Sequence, residues 1–186
     1  MARLIAFGCS FTRGDGLQDR RTQAWPAVLS QLLGRTCVNK GIQGASNKEI
    51  WNAIVDTRYK SSDIVFVNWS FCHRAKFNHQ QLIATRNPMT EEEEFYYKKL
   101  YTKKHGKDEW IVHMNHAGRY LRSKNLKMYN TVIERNMGRW LTRYNMETIL
   151  PAHWEKYQHK YEKALDGLHP GPLAHAAFAQ KVYELI

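Results

Sequence analysis

Residues able to cooperate in acyl transfer stand at the two ends of this 186-residue chain. Near the start, the apolar run Leu4-Ile5-Ala6-Phe7 leads into Gly8-Cys9-Ser10-Phe11-Thr12, which puts a serine at the turn after a strand-like segment. Near the end, Asp166-Gly167-Leu168-His169-Pro170 sets a carboxylate and an imidazole close enough for one loop to present both. A neutral hydroxyl is a poor nucleophile, so an enzyme that uses one holds an imidazole against it and orients that imidazole with a carboxylate. The constellation suggests a serine hydrolase. Each residue also has a plainer reading: Ser10 as a helix cap, Asp166 as an Asx turn with Gly167, and His169 as a surface histidine.

The elements between these ends must bring them together. Leu4 to Phe7 read as a buried strand, and Trp25, Val28, Leu29, Leu32 and Leu33 recur at helical spacing, with Gly34 as a stop. A second strand is expected over Thr36 to Asn39. From Ser46 the pattern is helical, with Ile50, Trp51, Ile54 and Val55 on one face and Ser46 or Asn47 as cap. Asp63-Ile64-Val65-Phe66-Val67 is the clearest strand, a continuous apolar run suited to a sheet covered on both faces. Such alternation implies a parallel α/β sheet, whose ligand crevice lies beyond the carboxyl ends of the strands, where Ser10, the Gly44 loop and residues 68–73 would fall.

Residues 74–116 fit no neat strand–helix unit and are expected as a largely helical insertion. A long helix is expected from Ala117 to about Tyr144, drawing on Tyr120, Leu121, Met128, Val132, Trp140 and Leu141, with a break near Gly138. A strand over Met146 to Leu150 should follow, ended by Pro151. The last helix is expected over Pro172 to Ile186, with Leu173, Ala176, Ala177, Ala179, Val182 and Leu185 on or near one face.

Bulk properties narrow the classes. A chain of 186 residues with 43% hydrophobic residues is sized for one core, so a single domain over 1–186 is expected. Cys9, Cys37 and Cys72 match neither a disulfide framework nor a metal-ligand pattern, which suits a reducing compartment. The pair His113 and His116 lacks accompanying carboxylate or cysteine ligands, and Gly14-Asp15-Gly16 lacks the rest of a nucleotide fingerprint. No signal-like or membrane-spanning run stands out, and a cytoplasmic protein without metal or other cofactor is the expectation. Charge is uneven: of the net +11, residues 74–163 carry +8. A basic surface of this kind attracts polyanions and steers anionic substrates.

The two end blocks together resemble the SGNH, or GDSL-type, hydrolases, and that resemblance implies a flavodoxin-like three-layer α/β/α sandwich. Gly8-Cys9-Ser10-Phe11-Thr12 would be the first block with Ser10 as nucleophile, and Asp166-x-x-His169-Pro170 the last, with Asp166 orienting the base His169. Within Asn39 to Asn47 the second-block glycine would be Gly44, its N–H sharing the oxyanion with that of Ser10. The third block departs: Gly-x-Asn-Asp falls on Ser70-Phe71-Cys72-His73, so Cys72 stands where the oxyanion asparagine belongs. Asn68, if the strand ended earlier, or Ser70 would be the substitute donor. Trp69-Ser70-x-x-x-Arg74 and the opening Phe-Gly-Cys-Ser-Phe-Thr also resemble SGNH-like proteins of tailed bacteriophages.

The resemblance implies an esterase or deacylase acting through a Ser10 acyl-enzyme, with acyltransfer to another hydroxyl as a variant; the absence of an evident apolar lid favours a small acyl group such as acetyl over that of a thioesterase or lysophospholipase, and the basic charge favours an anionic substrate. The alternative is a nucleic-acid-binding or nucleic-acid-modifying protein on the same scaffold. Its basis is the interleaving of Tyr96, Tyr97 and Tyr101 with Lys98, Lys99, Lys103 and Lys104, followed by Arg119 and Arg122, since rings and cations together suit stacking and phosphate contacts.

Overall fold

A computed structural model describes residues 2–77, 80–82, 88–136 and 149–186. Its sheet begins with β1 (Arg3–Gly8), which pairs in parallel with β2 (Thr36–Gly41) on one side and β3 (Ile64–Trp69) on the other. β6 (Lys127–Val132) and β7 (Ile149–His153) extend the sheet to the order β2-β1-β3-β6-β7, all parallel. The chain moves outward from β1 to β2 and then back across it to β3. With right-handed crossovers, that reversal sends successive helices to opposite faces. After the short helix α2 (Arg20–Gln23), α3 (Trp25–Leu32) accordingly packs with the last helix, while α4 (Asn47–Val55) packs with α6 (Lys103–Ser123). The expected three-layer, flavodoxin-like sandwich is the fold.

Local chemistry explains the elements. Leu4, Ile5, Ala6 and Phe7 are fully buried, as both faces of β1 carry helices. At the amino edge of the sheet, Arg3 Nε and Nη2 donate to Asp63 Oδ1 and Oδ2 at 2.9 and 2.6 Å, a two-pronged bond that joins β1 to the residue before β3. α4 starts on a capping box: the Ser46 side chain accepts from the Glu49 N–H, and the Glu49 carboxylate accepts from the Ser46 N–H. Of the two expected caps, Ser46 is the one used.

The middle differs from its sequence reading. After β3 comes a short antiparallel hairpin, β4 (Ala75–Phe77) and β5 (Gln80–Leu82). The helical part of the insertion is α5 (Glu91–Phe95), a π-helical turn over Tyr96–Leu100 and the first part of the 21-residue α6. The helix expected from Ala117 to about Tyr144 is overturned: α6 ends at Ser123, Asn125 turns the chain at φ 55°, and Lys127–Val132 forms β6. Met128 and Val132 are therefore strand residues; Gly138, Trp140 and Leu141 lie outside the described residues. Pro151 does not end its strand either. It sits within β7, at the sheet edge, where a missing N–H costs no ladder bond.

β7 is followed by α7 (Glu155–Gln158) and the loop that carries Asp166 and His169, then α8 (Pro172–Tyr183). Leu173, expected on the apolar face of α8, is instead exposed. His175 of α8 is fully buried, its Nδ1 accepting the Trp25 N–H at 3.1 Å and its ring edge-on to Trp154. Burial, and to a lesser degree the nearby His169, push this imidazole down to about 3 from its ordinary 6.5. It is a neutral acceptor for the start of α3, joining α3 to α8.

Candidate active site

The carboxyl end of β1 is built for a tight turn. A side chain at Gly8 would collide with Thr12 and come within 2.9 Å of the Asn68 carbonyl, so only glycine lets α1 (Ser10–Arg13) fold back on the strand. Cys9 is extended and caps this turn, leaving Ser10 as its first residue, 2% exposed. Gly14, left-handed at φ 83°, closes it with its N–H on the Ser10 carbonyl at 2.8 Å. Amides in the first turn of a helix have no intrahelical acceptor, so such a turn offers N–H groups beside its own first side chain.

The second half of the site is one loop. His169 Nδ1 lies 2.6 Å from Asp166 Oδ2, while Asp166 Oδ1 accepts the N–H groups of Leu168 and His169 at 2.9 and 3.0 Å. Burial would raise the Asp166 carboxyl, but the two backbone donors and the imidazole outweigh it and hold the group at about 2. An ionised Asp166 favours the tautomer with hydrogen on Nδ1, which leaves Nε2 as the basic nitrogen.

The loop is docked on the serine turn. Leu165 N–H donates to the Gly16 carbonyl at 3.1 Å, and Ala164 N–H donates to the His169 carbonyl at 2.9 Å. A Cβ on Gly16, itself at φ 79°, would lie 2.5 Å from the Asp166 carboxylate. Gly14-Asp15-Gly16, set aside in the sequence as an incomplete nucleotide motif, is thus the seat of the acidic residue. Phe11, the neighbour of Ser10, meets the His169 ring edge-on at 6.0 Å and the Trp154 ring at 5.4 Å. Among the described residues no hydrogen bond joins the Ser10 hydroxyl to His169, whose ring is held by Asp166.

The other expected site residues fall as follows. Gly44 adopts φ 66° in the turn after β2, and Ile42 N–H donates to the Gly8 carbonyl at 2.9 Å, which ties this turn to the serine turn. Asn68 does not follow the strand; β3 runs on through Trp69. Its side chain is fully buried, Oδ1 accepting from Thr131 Oγ1 at 3.1 Å, and Nδ2 has no partner among the described residues. Ser70 Oγ accepts from Arg74 Nη1 at 3.2 Å. Cys72 occupies the expected place of the missing asparagine, and burial pushes its thiol up to about 12.

Asn47 is a residue that the sequence reading considered only as a cap. Its Oδ1 accepts the Ser70 N–H at 2.8 Å and its Nδ2 donates to the Ser70 carbonyl at 3.2 Å. It therefore fixes the backbone just past β3. No spacing in the sequence signals this, because the contact joins the two ends of the α4–β3 segment, 23 residues apart.

The expected stacking platform is otherwise employed. Tyr96, Tyr97 and Tyr101 pack on one another with ring centroids 5.0 to 6.1 Å apart, and Tyr97 Oη donates to the carbonyls of His73 and Leu82 at 2.8 and 2.9 Å. Lys98, Lys99, Lys103, Lys104, Arg119 and Arg122 are exposed, Lys98 pairing with Glu94 and Lys104 with Asp108. His116 packs against Trp51, and no His, Cys, Asp or Glu cluster suited to a metal occurs among the described residues. No described helix is long and apolar enough to cross a membrane.

Neither a protein-family model nor a curated protein matches the sequence. Solved structures do match the fold over nearly the whole chain. A lipolytic protein of the G-D-S-L family from Veillonella parvula superposes with a TM-score of 0.61 at 13% identity, covering 100% of this chain and 98% of its own. A G-D-S-L family protein from Desulfitobacterium hafniense gives 0.61 at 14%, covering 99% of both chains. A carbohydrate esterase family 2 enzyme from Corynascus gives 0.58 at 12%, covering 99% of this chain and 65% of that one. The chain has the fold of these hydrolases.

Proposed function

We propose that the chain is an SGNH-type serine esterase, with Ser10 as nucleophile, His169 as general base and Asp166 as the group that orients it. The observation that carries this reading is the Asp166–His169 pair, 2.6 Å apart and docked through Gly16 on the turn that begins at Ser10. In the reaction, His169 Nε2 takes the Ser10 proton as Oγ bonds to the ester carbonyl carbon. The carbonyl oxygen becomes an oxyanion held by the Ser10 and Gly44 amides. Collapse breaks the ester C–O bond, and the leaving alkoxide receives the proton from His169. Water, deprotonated by the same imidazole, then releases the acid and regenerates Ser10. An acceptor hydroxyl in place of water makes the same cycle an acyltransferase. A small acyl group, such as acetyl, is the proposed cargo.

The test is p-nitrophenyl acetate hydrolysis by wild type, Ser10→Ala and His169→Ala, with fluorophosphonate labelling read by intact mass. Turnover and a single adduct that both vanish in Ser10→Ala are expected. A folded wild-type protein that neither turns over nor labels would overturn the assignment.

A further inference from the structure

A cavity of about 460 Å³ opens between the first turn of α4, the segment just past β3 and the first half of α6. It does not contain Ser10, yet it adjoins that site. Arg74 lines it and donates to Ser70 Oγ, and the Arg74 guanidinium lies 4.9 Å from the centre of the Phe71 ring, whose edge meets Phe11 beside Ser10 at 6.4 Å. Arg74 on the lining is thus linked through Phe71 to Phe11, the residue next to the proposed nucleophile.

Two buried ring nitrogens of lining residues have no partner among the described residues. Trp110 is fully buried and lines the cavity, and its indole N–H has no partner among the described residues; His113 Nδ1, on the same helical face, is likewise buried and unpartnered. A buried donor without an acceptor costs free energy and points to a missing ligand or water. Both signs of charge line the cavity, Lys48, Arg74 and Lys76 against Glu49 and Glu109, so the cations exceed the carboxylates by one, and Glu109 lies 3.7 Å from His105. Glu49 is consumed internally, with Oε1 on Lys76 at 3.1 Å and Oε2 on the Ser46 N–H and hydroxyl, both at 3.0 Å. Lys48 and Arg74 face no carboxylate partner among the described residues, and the bond to Ser70 leaves most of the guanidinium donors unused. A guanidinium fork and an ammonium on the lining of one cavity suit a phosphate group better than a neutral one.

We infer that this cavity is a subsite for a phosphate group carried by the substrate, so that the natural ester is a phosphorylated molecule. This rests on the esterase reading for the word substrate, but not for the binding of the anion.

Two measurements test it. Inorganic phosphate is titrated calorimetrically at constant ionic strength into wild type, Arg74→Gln, Arg74→Lys, Lys48→Gln and, as control, Lys124→Gln at the far end of α6. Arg74→Gln should weaken binding about tenfold or more, Arg74→Lys and Lys48→Gln less, and Lys124→Gln not at all. Thermal unfolding of each variant separates lost binding from lost fold, and Arg74→Lys carries the test if Arg74→Gln does not fold. No phosphate binding, or equal weakening by every cation removed, would overturn the site.

The second measurement compares 1-acetylglycerol 3-phosphate with 1-acetylglycerol. A preference of about tenfold in kcat/KM, lost in Arg74→Gln through KM, is expected. Equal turnover of the two esters would overturn the role in substrate binding. Phosphate binding that depends on Arg74, with no serine-dependent turnover of either ester, would leave the anion site standing and sink the esterase reading instead.

Discussion

The serine turn and the insertion lie against the same edge of one sheet but are held by different means. Around Ser10 the parts are fixed by backbone: glycines at 8, 14 and 16 permit close approach, hydrogen bonds from Leu165 and Ile42 fasten neighbouring segments to the serine turn, and one from Ala164 closes the Asp166–His169 loop on itself. The insertion is fixed by side chains. Half-buried Tyr96, Tyr97 and Tyr101 pack on one another, and the Tyr97 hydroxyl ties them to the segment after β3 and to β5. Backbone-fixed groups lose geometry when a single Cβ is added, whereas ring-packed groups lose stability when a contact is removed. Chemistry that needs reacting atoms within about half an ångström of their positions belongs on the former.

Substitutions can break this contrast, and the largest effect should fall on the proposed nucleophile. Ser10→Ala or His169→Ala should lower kcat for p-nitrophenyl acetate by about 10⁴ or more with thermal unfolding unchanged. Gly16→Ala places a methyl group against the Asp166 carboxylate and demands a left-handed alanine. It should cost about 10² in kcat with a smaller loss of stability, measured by parallel kinetics and denaturant unfolding.

The opposite pattern is expected at the amino edge of the sheet. Asp63 is buried and paired with Arg3; burial would raise its carboxyl, but the guanidinium bonds and the Lys60 N–H hold it below the usual range. Asp63→Ala should destabilise the protein by about 3 kcal/mol in urea unfolding while leaving kcat within about twofold. In the insertion, Tyr97→Phe removes one hydroxyl that serves two carbonyls and should cost about 1 kcal/mol, again with little effect on the ester reaction. Loss of activity equal to that of Gly16→Ala would show that the insertion also positions the reacting groups.

pH offers the gentlest probe. His175 has its folded value lowered to about 3 from 6.5, so between those values the unfolded chain binds a proton that the folded one refuses. Stability should therefore fall as pH drops through this window, with a limiting slope of about 1.4 kcal/mol per pH unit, and His175→Gln should flatten it. Asp166, lowered to about 2 from 3.8, contributes stability that is intact above about pH 4 and is lost only as pH falls toward 2. Activity lost between neutral pH and pH 4 thus cannot come from Asp166.

The contrast also explains what could be read from residue order. β1, β3, α3, α4 and the two terminal blocks are coded by neighbours, so Leu4 to Phe7, Ile64 to Val67 and Asp166 to His169 are legible one segment at a time. Lys127–Val132 was not: Met128, Tyr129 and Val132 satisfy both helical and strand spacing, and only the open place beside β3 selects the strand. β3 runs two residues past the apolar run that ends at Val67, which puts Asn68 in the sheet interior and removes the condition on which it could act as an oxyanion donor.

By itself the sequence determined the layered α/β class and the chemical types gathered at its two ends, because periodicity and turn residues act over a few positions. The tertiary structure decided that Gly16 seats Asp166, that Asn47 clamps Ser70, and that Trp110, Arg74 and Lys48 share one cavity. Those are contacts between segments far apart in the chain, and their distances are set by how the crossovers pack rather than by any local preference of the residues that meet.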